Sequence, residues 1–272
     1  MFRAIDMETW ARREIFYYFS RMAPTGYSLT VDVDVTNLRR VTKEKGVLIR
    51  IDNAAIESGI RQRLVNCLLA ALKFFPAYLW LVTRNLNRQV EFKCAVKDGV
   101  LGYYEKLTPL YAAWHEDTHT FSLMWTEYDD SFPVFYRNYI RHQEQYGRNP
   151  GILSRPDLPP ENAYTVSALP WVEFKHFAVH SYENKPYYFP SVEAGRYRDE
   201  NGRMLMPLSL TCHHATTDGY HVSEFLKYHH CAFAFQISHK SRNAHFGRDA
   251  HQHMYVVGTH FSFYNFYTFP LA

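Results

Sequence analysis

The 272-residue sequence has little excess charge of either sign. Its 30 Lys and Arg residues stand against 27 Asp and Glu residues, for a formal charge of +3 at pH 7. The basic residues are scattered among acidic ones and form no stripe, whereas nucleic-acid-binding proteins concentrate them where they meet phosphates. We therefore expect no DNA or RNA partner.

Cysteine is scarce too, and the sequence lacks long apolar runs. No stretch reaches the roughly 18 apolar residues that a spanning helix needs. The N-terminal MFRAIDMETWARREIFYYF is charged throughout, unlike a signal peptide. The four cysteines form no CxxC pair, which disfavours a thiolate zinc site and a disulfide framework. These absences predict a cytoplasmic protein with reduced thiols and no membrane partner; the cysteines are Cys67, Cys94, Cys212 and Cys231.

Aromatic residues, in contrast, are abundant. Phe, Trp and Tyr make up 17% of the chain, within a hydrophobic content of 47%. A chain of this length and content can bury a sizeable core. The aromatic side chains should line that core and any ligand pocket.

The apolar periodicity switches between helical and strand spacing along the chain. Strands that alternate with helices in this way predict an α/β sandwich. Turn residues at Asp98-Gly99, Thr108-Pro109 and 199–202 should separate strands. The predicted helices span about residues 8–21, 47–71, 74–86 and 128–146, and the predicted strands span 27–35, short pieces within 92–125, 165–181 and 204–214.

The motif with the clearest chemical meaning is HHATTDG, residues 213–219, between an apolar strand and a helical segment. It places the imidazole of His214 at a strand end, where a histidine of fixed tautomer can act as a general base. Asp218 can organise the loop by pairing with a cation, and Gly219 permits a positive φ. A histidine-rich turn capped by Asp218 accounts for the same residues without catalysis.

Further segments occur in a characteristic order: WARREIF (10–16), PTGYSLT (24–30), FFP (74–76), TFS (120–122), VSALPWV (166–172), LMPLS (205–209) and HHATTDGYHVSEF (213–225). With them the chain resembles the chloramphenicol acetyltransferase family over most of its length. The HHxxxDG motif alone is shared with other CoA-dependent acyltransferases and with condensation domains. The SALPW and WxRRExF segments narrow the resemblance to this family.

The resemblance implies roles for four residues. His214 is the general base, its ring held by a bond from its other nitrogen to its own backbone carbonyl. Asp218 pairs with Arg12 on the first helix and keeps the loop in shape. The hydroxyl of Ser167 stabilises the oxyanion of the tetrahedral intermediate; taken alone, Ser167 also fits a strand serine bonded to backbone.

The resemblance also implies binding sites and an assembly. The fold is a two-layer sandwich of a mixed, largely antiparallel sheet with helices packed on it. The family is a homotrimer that acetylates chloramphenicol with acetyl-CoA and needs no metal, its active sites lying between subunits. CoA enters close to Trp171 and Tyr197. The drug pocket is lined by Phe19, Thr25, Tyr27, Phe121 and Val179. All except Val179 also help to line the reaction site of the neighbouring subunit. Without the resemblance, each of the five would be assigned to the core.

Three features depart from the family pattern. Glu193 stands where the family usually has a threonine that helps to hold a water. About two dozen residues, 47–71, look inserted at the surface, where an insertion is tolerable. From Lys227 the helical pattern is lost, so we predict one acetyltransferase domain over 1–226 and an atypical, histidine-rich tail over 227–272.

Two other functions fit parts of the sequence. His115-Glu116-Asp-Thr-His119 is a literal HExxH, which on a helix would bind zinc. Its β-like context favours a strand instead, where residues four apart lie roughly 13 Å from each other, too far for one ion. The second alternative is an inactive relative: the altered tail has abolished catalysis, and the protein binds drug or CoA without turnover.

Overall fold

The computed structural model describes residues 1–43, 72–179 and 187–232, with side chains as far as residue 227. Its helices are α1 (Arg13–Tyr17), α2 (Thr36–Lys43), α3 (Phe74–Leu86), α4 (Phe132–Tyr146) and α5 (Gly219–Ala232), and a π-helical turn (Tyr18–Met22) follows α1. The first five strands are β1 (Phe2–Ala4), β2 (Gly26–Asp34), β3 (Cys94–Lys97), β4 (Val100–Tyr104) and β5 (Thr108–His115). The others are β6 (Thr120–Trp125), β7 (Ala163–Leu169), β8 (Ser191–Gly195), β9 (Arg198–Glu200) and β10 (Arg203–His213).

The main sheet has the order β2-β10-β8-β7-β5-β6, with β9 paired to β10. The pairs β5–β7 and β7–β8 are parallel and the remaining pairs are antiparallel. A smaller antiparallel sheet has the order β1-β4-β3. The predicted mixed, largely antiparallel sheet with helices is confirmed.

The two faces of the main sheet differ in chemistry. Val192, Ala194, Leu208 and Leu210 are buried on the face that packs against the helices. On that side α3 contacts α2, α4, α5 and β5. Because side chains alternate along a strand, the intervening residues lie on the opposite face. There a polar row crosses four neighbouring strands in register: Thr30, Ser209, Glu193 and Ser167.

Several predicted elements match the structure closely. The helix at 74–86 has the predicted bounds, and β2 occupies 26–34. The hairpin turn between β3 and β4 has Asp98 and Gly99 at φ values of 52° and 78°. The predicted helix over 47–71 lies outside the described residues.

Other predictions are wrong, for local reasons. The strand expected over 165–181 ends at Leu169, because Pro170 cannot donate to the ladder and the chain turns, with the Val172 amide donating to the Leu169 carbonyl at 3.2 Å. The expected break at Thr108-Pro109 instead begins β5. The first helix begins at Arg13 rather than near residue 8, because Asp6 accepts hydrogen bonds in a separate turn.

The last helix runs farther than the sequence indicated. The backbone of α5 is helical to Ala232, so the helix extends six residues into the segment from Lys227 in which the sequence shows no helical pattern. Residues 233–272 lie outside the described part of the chain. Among the described helices, none is both long and apolar enough to cross a bilayer.

Candidate functional site

The imidazole of His214 is held in one orientation just beyond the end of β10. Its backbone amide donates to the Thr25 carbonyl at 2.8 Å, and its Nδ1 lies 3.1 Å from the Thr217 carbonyl oxygen. A carbonyl can only accept, so Nδ1 carries the proton of the neutral ring and Nε2 is an acceptor. The expected bond from Nδ1 to the carbonyl of His214 itself is wrong, because the turn brings the Thr217 carbonyl to that nitrogen.

Two aromatic rings pack against this imidazole. Phe19 stacks on it with a centroid distance of 4.1 Å and an interplanar angle of 20°. Tyr27 meets it edge-on at 5.4 Å. Burial raises the pKa of the Tyr27 hydroxyl, which therefore stays protonated. Both rings contact the imidazole of their own chain.

The carboxylate of Asp218 holds the loop that carries His214. Arg12 Nη1 donates to Asp218 Oδ2 at 2.6 Å, and Asp218 Oδ1 lies 2.9 Å from His221 Nδ1. Burial disfavours ionisation, but the Arg12 bond and the charges of His221 and Arg12 outweigh it and lower the pKa of Asp218 to about 2. Gly219 begins α5 outside the positive-φ region, with no atom within 4 Å of a Cβ built on it, so the loop does not require a glycine there.

The first histidine of the pair has a structural environment. His213 Nδ1 accepts from the Ala215 amide at 3.1 Å, and its carbonyl accepts from the Thr217 amide. Burial lowers the pKa of His213, with a contribution from His214. His213 thus shapes the turn that supplies the Thr217 carbonyl to its neighbour.

Ser167 lies elsewhere, in the polar row on the face away from the helices. Its partner on β8 is Glu193, which is completely buried. One carboxyl oxygen of Glu193 accepts from Ser191, while Oε2 has no hydrogen-bond partner among the described residues. Burial raises the pKa of Glu193 to about 7, although the Ser191 bond opposes the shift.

The predicted binding residues lie in distinct surroundings. Phe121 is on the edge strand β6 opposite Trp114, whose ring meets that of Trp171 at 4.9 Å. The Phe121 and Trp171 side chains are 48% and 57% exposed. Tyr197, the other predicted CoA residue, instead packs under the guanidinium of Arg39, 4.4 Å from its ring.

An open cavity of about 1090 Å³ lies beside the site. It is bounded by the residues around α1, by the β3–β4 turn and by the ends of β8 and β10. Val179, predicted to line the drug pocket, forms part of its wall, together with Tyr17, Arg21, Tyr188, Ser191 and His213. The sequence did not single out Tyr17, Arg21, Tyr188 or Ser191; Tyr188, for example, is one of 21 tyrosines.

The HExxH segment is not on a helix. His115 is the last residue of β5, and its Nε2 shares a hydrogen bond of 2.7 Å with Ser122 Oγ. Residues Glu116 to His119 form the hairpin turn. His119 has a φ of 53° and lies against Trp114. Within the described residues no group of three or more His, Cys, Asp or Glu side chains could hold a metal.

Known proteins resemble this chain in sequence. The chain matches the family profile described as chloramphenicol acetyltransferase over residues 1–52 and 50–229. It is 33% identical to a chloramphenicol acetyltransferase of Clostridium perfringens over 225 residues, which are 82% of this chain and 91% of that protein.

Solved structures share the fold. A chloramphenicol acetyltransferase superposes with a TM-score of 0.63 at 24% identity, over 86% of this chain and 99% of the other. The dihydrolipoamide acetyltransferase of Azotobacter vinelandii superposes with a TM-score of 0.55 at 14% identity, over 81% and 86%. In that enzyme a serine, a histidine and an asparagine have been investigated for their role in catalysis.

Proposed function

Because this chain belongs to the chloramphenicol acetyltransferase family, we propose that it transfers the acetyl group of acetyl-CoA to a primary hydroxyl of chloramphenicol and so inactivates the antibiotic. The observation that carries the proposal is the fixed imidazole of His214, whose Nε2 is left as a proton acceptor by the bond from Nδ1 to Thr217. Use of acetyl-CoA is compatible with the predicted cytoplasmic location.

The proposed reaction is a direct attack in a ternary complex, without an acyl-enzyme. His214 Nε2 takes the hydroxyl proton as the substrate oxygen bonds to the thioester carbonyl carbon. The Ser167 hydroxyl donates to the resulting oxyanion. Collapse of the intermediate breaks the C–S bond, and the thiolate takes the proton from the imidazolium, which gives acetylated drug and free CoA. A positioned base and hydrogen-bond donors suffice for these steps, so the proposal includes no metal.

We also propose that the active site is completed between subunits of a homotrimer. Phe121 is on β6, four strands from β10, a separation of roughly 19 Å at the usual strand spacing. Ser167 lies on the face away from the helices, whereas the ring of His214 packs between Phe19 and Tyr27 beyond the strand end. A second copy that presents its His214 to this face would join the two halves, and cyclic symmetry would repeat the contact three times.

The test is release of CoA thiol from acetyl-CoA on addition of chloramphenicol. The natural protein should release thiol only with the drug present, and His214→Ala should abolish turnover while it keeps the thermal unfolding midpoint. His119→Ala, in the exposed hairpin turn, is the matched control and should stay active. An active His214→Ala protein would exclude the base assignment, and a folded natural protein that binds drug without releasing thiol would support the alternative of binding without turnover.

A further inference from the structure

A buried carboxyl with an unused oxygen lies in the polar row. Glu193 is 0% exposed, and within the described part of the chain only one of its two oxygens has a hydrogen bond, from Ser191. A buried polar atom without a partner is costly, so such an atom in a folded protein calls for an explanation. The residues on the adjacent strands offer an explanation for this unpaired oxygen.

The neighbours of Glu193 in the row are Ser209 on β10 and Ser167 on β7. Adjacent strands are about 4.8 Å apart, so both serines lie beside Glu193 on the same face of the sheet. The hydroxyl of Ser209 already accepts from Thr30 at 3.0 Å and donates to the Phe177 carbonyl at 2.5 Å. Ser167 is therefore the neighbour toward which the unused oxygen can act.

The surroundings of Glu193 favour a retained proton. Tyr78 on the helix side and Cys212 on β10 are the other titratable groups that interact with it, and both are neutral at physiological pH because burial raises their pKa values. On the opposite face His176, from the segment after β7, contacts Thr30 at 3.2 Å. Among the described residues no Lys or Arg compensates the charge of this carboxyl, and burial raises its pKa to about 7.

We propose that protonated Glu193 is a positioning residue of the acyl-transfer site, donating a hydrogen bond to Ser167 Oγ and so directing the proton of Ser167 toward the oxyanion. The inference rests on the proposed function. A serine hydroxyl has one proton. When Glu193 is ionised it becomes an acceptor, takes the hydrogen bond from Ser167, and adds a negative charge beside the developing oxyanion.

The test is the dependence of kcat on pH between 6 and 9. The kcat of the natural enzyme should fall roughly tenfold between pH 7 and pH 8.5 as the carboxyl ionises. Glu193→Gln keeps a donor that does not titrate, so its kcat should match the natural enzyme at pH 6 and should not fall between pH 7 and pH 8.5. In a Ser167→Ala background, the Gln substitution should leave the pH profile unchanged, because the residue acts through Ser167.

Identical alkaline profiles for the natural enzyme and Glu193→Gln would overturn the inference while leaving the acetyltransferase function intact. Absence of CoA release from the folded natural protein would overturn the proposed function and this inference together. Glu193→Met, which has no donor, gives a second check: its kcat should be low at every pH with KM unchanged, and a normal kcat at pH 6 would contradict the role.

Discussion

The rate of the proposed reaction depends on how firmly single side chains are held. Phe19 covers one face of the His214 ring at 4.1 Å, in the π-helical turn that follows α1. Phe19→Ala should free the ring to rotate and lower kcat about tenfold, since proton transfer requires aligned geometry. The control is Met22→Ala in the same turn, where the side chain is exposed. Steady-state kinetics would refute the orienting role if both variants lost activity equally.

Ser167 gives a prediction that separates binding from chemistry. Ser167→Ala removes a donor to the oxyanion, so kcat should fall by about tenfold or more with little change in KM for chloramphenicol. A donor of this kind contributes in the transition state and little in the ground state. A raised KM with unchanged kcat would remove the assigned role.

The carboxyl of Glu193 should also affect stability. Burial raises its pKa in the folded protein from 4.5 to about 7, so the folded state binds the proton more tightly than the unfolded state. The associated stability, about 3 kcal/mol, is fully present below pH 4.5 and is lost as pH rises through 7. The free energy of unfolding, measured with urea, should therefore decrease less between pH 5 and pH 8 in Glu193→Gln than in the natural protein. Equal losses would mean that the carboxyl is not protonated in the fold.

At the scale of elements, the ion pair between Arg12 and Asp218 holds the loop that carries His214 against the start of α1. Asp218→Asn leaves the nearly buried guanidinium of Arg12 without its counter-charge, and should cost about 3 kcal/mol of unfolding free energy. Arg12→Met should cost less, about 1 kcal/mol, because Asp218 keeps His221 and the Tyr220 amide as partners. The pKa of Asp218 is lowered, so this stability is present above pH 3.8 and is lost as pH falls through about 2. Chemical unfolding of both variants and the natural protein at pH 7 and pH 3 measures these costs. A larger cost at pH 7 for Arg12→Met than for Asp218→Asn would contradict the prediction.

Elements with strong local signals were predictable from the sequence. The alternation of β2 and the apolar spacing of α3 depend on one buried face each, which the sequence displays directly. In contrast, β8 was missed because its five residues, Ser-Val-Glu-Ala-Gly, are few and include Glu, Ala and Gly, which are depleted in strands.

The remaining differences between the predicted and the observed elements arise from changes in backbone geometry that the spacing of apolar residues does not reveal. Residues 18–22 have helical spacing, yet the Ala23 amide donates to the Tyr18 carbonyl in a π-helical bond at 2.9 Å. That turn carries Phe19 to His214. Likewise, the apolar pattern continues past Pro170 after the strand has ended. The position of His214 at the end of β10 was predictable, whereas its partner Thr217 depends on the exact turn.

For the whole molecule, the proposed trimer makes a quantitative prediction. His214→Ala and Ser167→Ala chains should each be nearly inactive alone, because every site lacks one group. If each site takes His214 from one subunit and Ser167 from the next, random hybrid trimers should regain about one quarter of the natural activity, the chance that both contributing subunits are intact. Chains co-refolded from denaturant and assayed for thiol release would show this. No recovery from hybrids of confirmed trimeric mass would place both groups in one subunit.

The contact between Arg12 and Asp218 spans 206 positions of the chain. Proteins are synthesised at about 5–20 residues per second, so roughly 10–40 s separate the emergence of the two partners. During that interval the nascent chain contains Arg12, Phe19 and Tyr27 but not yet the loop with His214 and Asp218 that these side chains contact. The surroundings of His214 are therefore assembled among the last contacts of the domain, and ribosomes that stall shortly before Asp218 would release chains with most of the sheet and no catalytic activity.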